Sequence, residues 1–196
     1  MKRLLFPAVA ALSLLAFFAG VTTAQTKGAM ELGYDLGFNV LMEDDYEYDD
    51  YYGSYTVEGE DVVQIGLPHS GGLLQALRFG FYLTEQSEIE PTFGFQYVNY
   101  EGDWLLQTNL GLFYVHNFGS AGTRPYVKGG GRVYLISDEE DSDSQFGLGA
   151  GIGAKTRIGD RLALRYEAGA TRQFESEALA ARWDLGLSLG ISFFTK

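Results

Sequence analysis

The sequence predicts an all-β chain closed into an antiparallel up-and-down transmembrane β-barrel of eight strands, with ten strands open as the alternative. Three observations point there. Apolar and polar residues alternate with period two in stretch after stretch. Glycine is abundant at 26 residues and proline scarce at 4, beside 13 Tyr and 14 Phe, which suits closely packed strands better than disorder. The connections are short and long in turn, as in bacterial outer-membrane barrels.

The chain opens "MKRLLFPAVAALSLLAFFAGVTTAQT". Lys2 and Arg3 make a basic start, Leu4 to Gly20 an apolar stretch, and Thr22-Thr23-Ala24 a small-residue cleavage site. This is the pattern of a secretory signal peptide, expected to be cut after Ala24. Residues 25–196 then form one domain. No other stretch is apolar for long enough to be a transmembrane helix. Cysteine is absent, so disulfides and thiolate metal sites are excluded.

Residues 30–42, "MELGYDLGFNVLM", set Met30, Leu32, Tyr34, Leu36, Phe38, Val40 and Met42 against Glu31, Gly33, Asp35, Gly37 and Asn39. A polar segment, 43–72, follows. Residues 73–83 set Leu77, Phe79, Phe81 and Leu83 against Arg78 and Gly80, and 88–98 set Ile89, Phe93, Phe95 and Tyr97 against Glu88, Glu90, Thr92 and Gln96. Pro91 cannot donate to a ladder, so that strand is expected to begin around it or to carry a bulge. Residues 104–118 oppose Trp104, Leu106, Leu110, Leu112 and Tyr114 to Gln107, Asn109 and Gly111; residues 126–136 oppose Val127, Val133 and Leu135 to Lys128, Arg132 and Tyr134. In 145–158, Phe146, Leu148, Ala150, Ile152, Ala154 and Ile158 alternate with four glycines, Gln145, Lys155 and Arg157. Residues 161–173 and 181–193 repeat the pattern, with Arg165 and Glu167, then Arg182 and Asp184, on the polar side. That makes eight strands. Segment 43–72 holds either a hairpin of its own around "SYTVEGEDVVQIGLP" or two more strands.

An even count puts both ends on one side. The short connections 84–87 and 159–160 fall on that periplasmic side, with 119–125. Connections 43–72, 99–103, 138–144 and 174–180 fall on the other, extracellular side. Alternation alone does not say which face points inward. The polar face carries Glu31, Asp35, Glu90, Glu167 and Asp184 with Arg78, Lys128, Arg132, Arg165 and Arg182, five acids and five bases able to pair across a narrow lumen. Aromatics gather near strand ends on the apolar face, with Tyr97, Trp104, Phe146 and Trp183 toward one rim and Phe81, Tyr114, Phe118 and Phe193 toward the other. Such girdles mark a lipid-facing band. The apolar face therefore goes outward.

Charge is partitioned the same way. Residues 43–61 hold nine acids and 138–144 hold five, with no base in either. These fourteen account for the whole acidic excess of residues 25–196, so the rest of the barrel is balanced.

The amphipathic strands, the run "FGLGAGIGAKTRIGDRLALRYEAGA" and the ending "LGLSLGISFF" resemble the small outer-membrane β-barrel domain family of OmpA/OmpX type, over roughly 29–42 and 73–194. The resemblance implies a Gram-negative outer-membrane barrel that meets lipid and lipopolysaccharide and is inserted by the barrel-assembly machinery. It is specific for fold and much less so for activity.

Motifs that could carry chemistry are few. Some small barrels resembling this one modify lipid A acyl chains with His beside Ser or Asp. Here His69 adjoins Ser70, but neighbours in an extended chain point apart, and His116 falls on the outward face. No enzyme is expected. The acidic run Asp44, Asp45, Glu47, Asp49, Asp50 offers carboxylates to a divalent cation on charge density alone, without EF-hand spacing. Its tyrosines (Tyr46, Tyr48, Tyr51, Tyr52, Tyr55) suit contact with an extracellular protein. "GLGAGIGAK" has no helix after it, so it is no phosphate loop. No cofactor pattern is present, and so acidic a chain is not a nucleic-acid binder. An eight-stranded interior is just filled by side chains. The expected role is therefore structural or surface-interacting with a plugged lumen, the alternatives being a small-solute channel and a soluble, lipocalin-like periplasmic barrel.

Overall fold

The computed structural model describes residues 27–44, 46–50, 53–57, 59, 61–66, 77–100, 103–119, 122–137, 142–176 and 180–195. Side chains are outside the description over 38–41, 43, 46–50, 53–57, 61–66, 95–100 and 103–105. Among the described residues the elements are all strands: β1 (Met30–Glu43), β2 (Tyr46–Asp50), β3 (Gly53–Val57), β4 (Asp61–Gly66), β5 (Leu77–Tyr82), β6 (Ser87–Tyr100), β7 (Asp103–Asn117), β8 (Thr123–Ser137), β9 (Ser142–Arg157), β10 (Leu162–Gln173) and β11 (Arg182–Phe194).

From β5 to β11 each strand pairs antiparallel with the next, and β11 returns to β1 from Glu31↔Phe194 to Glu43↔Arg182. The ring has eight positions and closes where β11 meets β1, so backbone groups along these ladders are satisfied between strands. One position is shared. β5 lies against the first half of β1, from Met30↔Phe81 to Tyr34↔Leu77. β4 lies against the second half, from Gly37↔Gly66 to Met42↔Asp61.

This resolves the two readings of 43–72. β2 and β3 form a separate two-stranded hairpin, Tyr46↔Val57 to Asp50↔Gly53, while "DVVQIG" enters the wall. The ten-stranded ring does not form, and the boundary at 72 is corrected: the segment outside the wall before β4 ends at residue 60. Two other connections shrink likewise, from 99–103 to 101–102 and from 138–144 to 138–141, because the ladders run further than the alternation reveals, while the last lengthens by one residue to 174–181.

Pro91 neither starts β6 nor bulges it. The ladder to β7 runs unbroken from Ser87↔His116 to Tyr100↔Asp103, through Pro91↔Leu112. On the β5 side pairs form at Arg78↔Thr92 and Phe81↔Ile89 in one register, skipping Phe79 and Gly80. The missing N–H is absorbed as a local gap in the ladder rather than as an extra residue.

The start of β1 and the end of β11, with connections 83–86, 118–122 and 158–161, lie at one rim, the terminal rim; the opposite loop rim carries the remaining connections. Thr84 Oγ1 accepts from the Ser87 N–H at 2.9 Å in the first turn. Gly119 takes φ 70° in the second, a conformation that favours glycine.

Burial settles the inside-out question. Leu112, Ile152 and Leu189 are 59, 54 and 51% exposed, whereas Glu90 and Arg165 are 0% exposed. A soluble barrel would reverse this, so the lipocalin-like alternative falls. Phe81, Tyr114, Phe118 and Phe193 stand exposed at the terminal rim, and Phe146 and Trp183 at the loop rim. Tyr97 and Trp104 lie among the undescribed side chains.

Candidate functional site

Chemistry-bearing side chains converge in the lumen, because period-two strands send every second residue inward. In the terminal half they form one connected layer. Arg78 donates through Nε and Nη2 to Asp35, the latter at 2.8 Å, and through Nη1 to Glu31 Oε1 at 3.3 Å. Lys155 Nζ reaches Glu31 Oε2 at 2.6 Å, Glu88 Oε2 at 2.7 Å and the Tyr82 hydroxyl at 2.9 Å. Arg165 holds both oxygens of Glu90, donates to Glu167 Oε2 at 2.6 Å, and bonds the Tyr126 hydroxyl at 2.6 Å. Lys128 closes the layer at 2.5 Å from Glu167 Oε1. Ser192 and Tyr82 donate to the two oxygens of Glu31.

Glycines make room for these long side chains. A Cβ on Gly33 would stand 2.5 Å from Arg78 Cζ, and one on Gly130 would stand 2.7 Å from Phe113 Cα. Aromatic faces complete the packing, with the Arg165 guanidinium 4.5 Å from the Tyr126 ring centre and Lys128 Nζ 4.6 Å from that of Phe113. Charges taken out of water need such partners on every side.

Seven of the ten anticipated lumen charges (Glu31, Asp35, Arg78, Glu90, Lys128, Arg165 and Glu167) meet in this layer. Arg132 and Asp184 do not join it. They pair beyond Phe113, at 3.7 Å. Arg182 lies over the Tyr134 ring at 5.1 Å. Sequence reasoning left Glu88 and Lys155 out of the network although their parity placed both on the polar face. It also missed Tyr82 and Tyr126, which the same parity marks as inward.

The other candidates lie elsewhere. His69 and Ser70 fall outside the described residues, as do the side chains of Asp45, Glu47, Asp49 and Asp50. Asp44 pairs with Arg172, at 3.2 Å from Nη1 and 2.5 Å from Nη2. These hydrogen bonds hold the exposed Asp44 carboxyl below its ordinary range. Among the described residues no group of three or more acidic, His or Cys side chains is placed to hold a metal ion. His116 stacks edge-on against Phe118, centroids 4.9 Å apart.

A family model described as the outer membrane protein beta-barrel domain matches residues 9–193. No curated protein matches the chain. Among solved structures, the N-terminal β-barrel domain of Pseudomonas aeruginosa OprF is 18% identical, the match covering 86% of this chain and 100% of that one with a TM-score of 0.50. Neisserial surface protein A is 12% identical, covering 85% and 99%, TM-score 0.56. Ail, the attachment invasion locus protein of Yersinia pestis, solved with the heparin analogue sucrose octasulfate, is 11% identical, covering 86% and 99%, TM-score 0.51. At these identities the likeness is one of fold.

Proposed function

The chain belongs to the outer membrane protein beta-barrel domain family and is an outer-membrane protein, and from that premise we propose a structural and surface-interacting role, without catalysis. In this reading the terminal half of the lumen is a plug and the loop rim faces the exterior. The carrying observation is the connected layer of Glu31, Asp35, Arg78, Glu88, Glu90, Lys128, Lys155, Arg165 and Glu167, which commits its charges to one another. The net negative charge of residues 25–196 gathers instead in the segments of the loop rim.

Fourteen acids in two loop-rim segments, with no base among them, select a basic protein surface or divalent cations bridging to lipopolysaccharide phosphates. Ail was solved with a polyanion; the present rim would repel one. The test is deletion of residues 46–57, the outlying hairpin. Binding of basic partners to cells should fall while the heat-modifiable shift of the folded barrel on gels is retained. Unchanged binding would leave only the structural role.

A small-solute channel is the second reading, favoured by the ring geometry itself. It requires the charged layer to open, which planar-bilayer conductance tests directly.

A further inference from the structure

Among the described residues, single buried polar atoms lack hydrogen-bond partners in both halves of the lumen, Glu88 Oε1 and Asn117 Oδ1 among them, but in the loop-rim half whole functional groups do. Beyond Phe113, toward the loop rim, Asp184 is 2% exposed and neither carboxylate oxygen accepts a hydrogen bond. Its ion-pair contact with Arg132 Nη1 stands at 3.7 Å. Gln173 is 1% exposed and its side-chain nitrogen and oxygen are both unbonded. Gln145 donates to the Ala180 carbonyl at 2.7 Å and leaves its own oxygen unbonded. The ladders set these groups side by side: Thr171 pairs with Asp184, Gln173 with Arg182 and Gly147, and Arg132 with Gly147.

Buried carboxylates and amides without partners are rare, because each has given up its bonds to water. Asp184 can only accept; Gln173 can donate and accept; the guanidiniums of Arg132 and Arg182 stand nearby as donors. The complement of this set is a small molecule bearing a hydrogen-bond donor, an ammonium or hydroxyl, and an acceptor alongside it.

We propose that the loop-rim half of the lumen is a blind binding site for small polar solutes with an ammonium or hydroxyl group, entered from the loop rim. Asp184 accepts the donor, Gln173 and Gln145 complete the hydrogen bonds, and Phe113 with the charged layer forms the floor. Their polar atoms are closed to solvent, so admitting the solute requires the side chains to turn. The proposal rests on the plug described above.

The chain has no cysteine, so single-thiol variants report access cleanly. In the folded barrel, Gln173→Cys should react with 2-aminoethyl methanethiosulfonate, an ammonium probe, while Thr92→Cys in the terminal half stays protected. Gln145→Cys carries the same expectation where the Gln173 variant gives no heat-modifiable band. Adding Asp184→Asn should slow the ammonium probe about fivefold to tenfold, with the uncharged methyl methanethiosulfonate unaffected. If all thiols are protected, the loop-rim half is closed and the inference fails while the plug stands. If Thr92→Cys reacts as readily, the plug fails and the site is not blind. If Asp184→Asn leaves the ammonium probe unchanged, the assignment of Asp184 as the solute's acceptor is overturned.

Discussion

Lys155 Nζ stands 2.6 Å from Glu31 Oε2, joining β9 to β1 inside the lumen across 124 positions of sequence. Both side chains are buried, and the same ammonium serves Glu88. Lys155→Met takes the ammonium from buried Glu88 and one of several donors from Glu31, and should cost about 3–5 kcal/mol in urea unfolding from detergent micelles. A loss below about 1 kcal/mol, the range of exposed pairs, would mean that water reaches this level.

Arg165 joins Glu90 to Glu167 at the centre of the layer. The intact barrel should show no regular single-channel steps in planar bilayers. Arg165→Ser should introduce them. Silence from a folded Arg165→Ser barrel would place the barrier at Phe113 instead.

Leu189 lies midway along β11 on the outward face, 51% exposed. Leu189→Arg should destabilise the lipid-inserted barrel by about 2–4 kcal/mol, as cations do near the bilayer midplane. Equal stability of the two forms in bilayers would show that this face does not meet hydrocarbon.

The Asp44 contact with Arg172 is pH-dependent. Its hydrogen bonds lower the carboxyl's folded-state pKa, so the stabilisation is present above the ordinary aspartate value and is lost as pH falls through the lowered one. Arg172 also lies over the Trp183 ring at 5.6 Å. Trp183 emission should therefore change as pH drops below about 4, and Asp44→Asn should remove that transition. A transition that persists in Asp44→Asn assigns it to another group.

Gly129 and Gly130 are adjacent but unequal. A Cβ on Gly130 meets the backbone of Leu112 and Phe113, while one on Gly129 stands 3.9 Å from the Gly149 oxygen, an ordinary contact. Gly130→Ala should cost about 1–3 kcal/mol through overpacking, and Gly129→Ala little, by thermal unfolding in micelles. Equal effects would show that Phe113 does not need the space.

Period two was enough to read the eight ring positions and the direction of each face, because parity is local: Leu189 out and Glu90 in follow from the chain alone. Register is not local. Lys155 finds Glu31 and Glu88 only through the offsets of several intervening ladders, so a list of inward charges could not say which would touch. The division at Phe113 was hidden for a related reason. Apolar Phe113 and Val115 sit on the polar side of β7, and composition gives no cue that one ring separates Lys128 from Arg132. β4 was obscured because its position in the wall is completed by β5 after a ten-residue interruption, 67–76.

Ser192 donates to Glu31 across 161 positions of sequence, and the layer it supports draws on both ends of the chain. The contacts of Glu31 with Ser192, Lys155 and Arg165 do not form while β1 and β11 are apart. An unclosed intermediate would present Glu31 to a low-dielectric surrounding without its partners from β9, β10 and β11, a state the bilayer disfavours. Partial assembly therefore offers no resting place. The layer is completed only when the final seam zips, and the high contact order of that closure slows folding.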